Sequence, residues 1–140
     1  MNNIIRNILA VFIGLVIGGL INGWIISISA SLIPLPKGVD NSTLEGLQKS
    51  IHLFEPKHFI FPFLAHAIGT FLGALITLFI SKSREFYLAI LVSGVFLLGG
   101  VSMVVQLNAP LWFNAIDLVG AYIPMGFVAY LISKKTSKSS

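Results

Sequence analysis

Cysteine is absent from the chain, which excludes disulfides, thiolate metal ligation and cysteine nucleophiles together. Charge is scarce as well. Nine Lys or Arg and five Asp or Glu make up 10% of the 140 residues, against about 25% in an average soluble domain. Strand-type alternation of polar and apolar residues is missing, so a β-barrel is not expected. No glycine-rich phosphate loop, Ser-His-Asp order or paired catalytic carboxylates occur, and the chain reads more as a binding or accessory protein than as an enzyme.

Hydrophobic residues account for 56% of the chain and the mean hydropathy is +0.92. Four apolar runs, Leu9 to Ser31, Phe59 to Ile80, Phe86 to Val105 and Leu111 to Ile132, each approach the roughly 20 helical residues that cross a bilayer core. Only helices or closed barrels satisfy their backbone in lipid. The expected fold is therefore a single all-α domain, a four-transmembrane-helix bundle embedded in the lipid bilayer. Arg6 precedes the first run as in a secretory signal, but the run exceeds the 7 to 15 apolar residues usual there and is kept as a helix.

The net charge of +4 does not indicate nucleic acid, because the basic residues are spread along the chain and gather at run ends. They act instead as topology signals. With the N-terminus in the cytoplasm, Arg6, Lys82, Arg84, Lys134, Lys135 and Lys138 lie inside, against Lys37, Lys49 and Lys57 outside. That bias predicts both termini cytoplasmic. Trp112 then lies at the outer interface, with Tyr87 and Tyr130 at the inner one.

The first outside loop, about residues 32–58, begins with Ile33-Pro34-Leu35-Pro36, which cannot continue a helix. Ser42-Thr43-Leu44-Glu45 has capping-box spacing, with Ser42 as the cap. A short interfacial helix follows, its apolar stripe carrying Leu44, Leu47, Ile51 and Phe54, and it either lies flat on the membrane or covers the bundle mouth. Pro56 suits the start of the second span, although Pro62 marks a second candidate start or a kink. Ser81 to Arg84 forms a tight inside turn, and Lys134 to Ser140 reads as a disordered basic tail.

Gly14, Gly18 and Asn22 on span one, and Ala65, Gly69 and Gly73 on span two, form small-xxx-small faces. Gly19 and Gly23 make a second row. These faces fit close packing within the chain or against a second copy.

His66 and Asp117 are the ionisable residues well inside the apolar runs, tyrosines aside. Counted at 1.5 Å per residue, they lie about 10 Å and about 9 Å below the outer ends of their spans. An intramembrane ionisable group faces a partner or a water-filled cavity. His66 and Thr70 share one stripe, and Asn22 and Asn114 add polar groups toward the same side, so an outward-facing polar pocket is expected. Its core is a functional site, such as a proton relay, cation site or ligand anchor, or a structural pin that fixes helix register; the third alternative is that the two groups do not meet. Pro124 leaves a carbonyl near Gly120 unbonded, close to Asp117, and marks a tolerated kink, a hinge or a cation-coordinating spot.

His52, Glu55 and His58 form a second constellation, with donors that suit zinc or another divalent ion. Their spacing matches no familiar zinc signature. His66 could join them only through a break near Pro62, because eight residues span about 12 Å of helix.

The stretches His52 to Phe59 (HLFEPKHF), Phe61 to Thr70 (FPFLAHAIGT), Leu32 to Asp40 and Asp117 to Met125 resemble an uncharacterised family of small bacterial four-span inner-membrane proteins. The resemblance covers most of the chain. It implies a bacterial inner-membrane location and a four-helix architecture, and carries over no site residue. The expected role is a small accessory or solute-handling component with a periplasm-facing pocket and no resident cofactor, working alone, as a homo-oligomer or with another membrane protein. The alternative is a metal-binding protein or metal-dependent membrane enzyme centred on His52, Glu55, His58 and His66.

Overall fold

The computed structural model describes residues 2–81 and 86–138. The expected turn at Lys82 to Arg84 and the tail at Ser139 and Ser140 lie outside the described residues. The remainder is helical: α1 Asn3–Leu32, α2 Leu44–Ser50, α3 Ile60–Ile80, α4 Phe86–Leu107, α5 Leu111–Gly120 and α6 Ile123–Lys138. Two short 3₁₀ turns, Ile51–Leu53 and Pro56–Phe59, link α2 to α3. Helices α1, α3 and α4, together with α5 and α6 taken in series, are long and apolar enough to cross a membrane. The protein is an all-α four-helix membrane bundle.

Its surface matches that solvent. Phe12, Leu20, Trp24, Leu98, Val105 and Val119 are exposed, a distribution that suits lipid and would promote aggregation in water. The interior combines alanines with larger apolar side chains. Ala74, Leu78, Leu88, Ala89, Val92 and Ala129 form the main buried cluster.

Helices α1 and α3 approach most closely along the two small-residue faces. A Cβ on Gly18 would lie 2.5 Å from the Gly69 carbonyl oxygen, and one on Gly69 would lie 2.8 Å from that of Gly18. Only glycine permits this contact, which is made within one chain. Thr77 strengthens it by donating from Oγ1 to the Ala10 carbonyl at 3.2 Å. Gly19 and Gly23 meet nothing within 4 Å.

Element boundaries differ from expectation in four places, each with a local cause. Helix α1 starts at Asn3 rather than Leu9, because the Asn2 side chain accepts the Ile4 N–H and Arg6 Nε donates to the Ile80 carbonyl at 2.6 Å. The cap of α2 is Thr43, not Ser42: Thr43 Oγ1 accepts the Gly46 N–H at 2.9 Å. Ser42 instead donates its N–H and Oγ–H to the Asp40 carboxylate at 2.9 and 2.5 Å. Pro62 neither starts nor kinks α3, because it falls in the first helical turn, where its missing N–H has no intrahelical partner to lose. The basic end continues α6 to Lys138 rather than becoming a disordered tail.

The largest difference is in the last span, which is broken at Ala121 and Tyr122. Pro124 cannot donate to the Gly120 carbonyl, and its ring crowds the preceding turn. Helix α5 ends on the Ala121 N–H bond to the Asp117 carbonyl at 2.9 Å, and α6 restarts with Gly126 N–H on the Tyr122 carbonyl at 3.1 Å.

Two ends of the bundle follow. The start of α1, the start of α4 and the later part of α6 share one end, where Asn7 reaches the Tyr87 hydroxyl at 3.5 Å and the Phe86 and Tyr130 rings lie 5.1 Å apart. The segment from Ile33 to Phe59 and the turn at Asn108 to Pro110 share the other, called here the loop end.

Candidate functional site

A cavity of about 460 Å³ opens at the loop end, within the size range of small-molecule sites. Its walls come from α1, α4, α5 and the first turns of α3. Leu47, Ile51 and Phe54 cover it from above. Of the two placements considered for the α2 stripe, the structure therefore has the lid, with Leu44 left exposed.

The lid is fastened by His58. Glu55 N–H donates to His58 Nδ1 at 2.9 Å, and His58 Nε2–H donates to the Pro34 carbonyl at 3.2 Å. Both ring nitrogens are therefore engaged by backbone. Phe54, Phe59 and Phe113 pack around this point, with Phe59 and Phe113 ring centres 4.7 Å apart.

At the floor His66 and Asp117 meet. His66 Nδ1 lies 2.8 and 2.9 Å from the two Asp117 carboxylate oxygens. A carboxylate only accepts, so Nδ1 carries the proton. Asp117 is almost fully enclosed, with 4% of its side chain exposed, whereas 19% of the His66 side chain is exposed. A molecule in the cavity thus reaches the imidazole more readily than the carboxylate.

Tyr122 completes the group. Its hydroxyl donates to Asp117 Oδ2 at 3.0 Å, and its ring stacks on His66 with centroids 5.7 Å apart. Sequence counting misses this residue for a definite reason. Residues five apart on an unbroken helix are rotated by about 140°, which would carry Tyr122 away from Asp117. The break at Ala121 and Tyr122 brings it back. Gly100 makes room for it, since a Cβ there would collide with the Tyr122 hydroxyl.

The remaining expected residues divide. Asn22 lines the cavity, and its buried Oδ1 has no hydrogen-bond partner. Thr70 is fully buried one turn below His66, outside the cavity lining, and its Oγ1 is also unpartnered. Asn114 lines the cavity but donates Nδ2 to the Ala109 carbonyl at 3.0 Å, closing the turn that contains Asn108 at φ 51°. It serves the turn first.

His52, Glu55 and His58 are not brought into a metal-holding group. No cluster of three or more His, Asp or Glu occurs among the described residues. Glu55 pairs with Lys57 at 3.1 Å, and both nitrogens of His58 are committed to backbone. Because α3 runs unbroken through Pro62, His66 stays on the cavity floor, away from His58 at its mouth.

No family model, curated protein or solved structure matches this chain.

Proposed function

We propose that this protein is a non-catalytic solute-binding component of a bacterial inner membrane, a member of the small four-span family its sequence resembles, with both termini in the cytoplasm. The loop end then faces the periplasm. The observation that supports this reading is the lidded cavity itself: apolar walls, a loop packed above, and one polar group at the floor reached through His66. A pair serving only as a structural pin has no need of a cavity of this size over it.

In this reading the lid admits or retains a small, largely apolar solute, and His66 orients its polar end. The test compares His66→Ala and Asp117→Asn with the native protein for solute retention and for thermal unfolding in detergent. Loss of retention with the unfolding temperature little changed supports a ligand site. Loss of stability with retention intact makes the pair a structural pin.

A further inference from the structure

The charges and the unengaged atoms of the floor narrow the kind of solute, on the premise that the cavity is a binding site. Among the described residues no Lys or Arg lines it, and Asp117 is its sole acidic residue. With His66 Nδ1–H held by Asp117, the other ring nitrogen, Nε2, makes no hydrogen bond to protein among the described residues. In this tautomer Nε2 is an acceptor. Asn22, which also lines the cavity, has a buried Oδ1 without a donor. The floor therefore presents an acceptor at His66 Nε2 in front of the Asp117 carboxylate, with no Lys or Arg to receive an anion.

We infer that the cavity takes a lipophilic amine, whose ammonium N–H donates to His66 Nε2 while its hydrocarbon part lies along the α1 and α4 walls. The imidazole then links two opposite charges, with Asp117 behind it and the ammonium in front. The same carboxylate–imidazole arrangement orients histidines toward metal ions. A divalent ion would require about four donors, and the floor does not gather them. From Gly100 at the floor to Leu107 near the mouth, α4 rises about 10 Å. That depth accommodates a chain of about eight carbons, at roughly 1.3 Å of projected length each, below the lid.

The test uses three probes of equal chain length, octylamine, octanol and octanoate, with the full-length protein in lipid nanodiscs. Empty nanodiscs are subtracted, and bound probe is counted by native mass spectrometry. Octylamine is expected to bind saturably at one per chain, at least tenfold more tightly than octanol, with no saturable binding of octanoate. Asp117→Asn should reduce amine binding at least tenfold and narrow the advantage of octylamine over octanol. The order among probes is read on the native protein, so the inference stays testable even if that variant fails to fold. Octanoate or octanol binding as tightly as octylamine overturns the amine assignment and leaves the cavity as a binding site. Absence of saturable binding for all three overturns both.

Discussion

Asp117 is held at three points of contact, and those contacts are the most informative residue-scale feature of the molecule. It accepts from His66 and from Tyr122 while remaining almost fully enclosed. A hydrogen bond to a carboxylate contributes about 1.5–3 kcal/mol in general and about 1 kcal/mol between membrane helices. Tyr122→Phe should therefore lower stability by about 1 kcal/mol, read as unfolding in detergent, and leave His66 on Asp117. Gly100→Ala should cost more, because its methyl displaces the Tyr122 hydroxyl and removes the same bond together with the packing. At the loop end, Asp40 accepts both the Oγ–H and the N–H of Ser42, which hold its carboxyl below the ordinary value of 3.8. A depressed carboxyl stabilises the fold above its ordinary pKa and loses that contribution as pH falls through the lower, folded value. Hydrogen exchange of Asn41 to Leu44, corrected for intrinsic rate, should accordingly stay constant from pH 7 to 5 and rise only in strong acid. Asp40→Asn should remove the acid-dependent rise.

Among the elements, the α1–α3 pair carries the tightest backbone approach and the last span carries the break. Gly69→Val should destabilise the bundle by about 1–3 kcal/mol or prevent its assembly, since the added carbons meet the Gly18 backbone and the Asn22 side chain. Pro124→Ala restores an N–H donor opposite Gly120 and favours a continuous last helix. Tyr122 should then rotate off Asp117, and cavity binding should fall although the helix itself gains a hydrogen bond. Loss of the Tyr122-to-Asp117 proximity in distance measurements between labelled side chains checks this. The sequence made the four spans legible because apolar length is a strong signal. It also made the His66–Asp117 meeting legible, because both were the only interior ionisable groups other than tyrosines and lay at equal depth. Tyr122 was hidden because helical counting assumes an unbroken helix, and the position of a proline break changes every angle beyond it. The Thr43 cap was hidden because two adjacent hydroxyl residues compete for one role, and Asp40, outside the capping pattern, decides between them. The roles of His58 and Asn114 were illegible because their partners are backbone carbonyls and amides, which no side-chain pattern reveals.

At the scale of the whole molecule, the bundle is hollow at the loop end, where the cavity opens. Orientation is tested with a single cysteine at Ser42, which is exposed in a chain with no native cysteine. An impermeant thiol reagent should label it in intact cells, and labelling only after lysis would reverse the proposed topology. The central claim is that the lidded cavity holds a solute over His66 and Asp117. The measurement that bears on it most directly is native mass spectrometry of the protein extracted with its surrounding lipid, comparing the native chain with Ala30→Trp, which fills the cavity wall without touching the floor. The account predicts one small molecule of defined mass per native chain, absent from the folded variant. An unliganded native chain, or the same adduct retained by the filled variant, would contradict it.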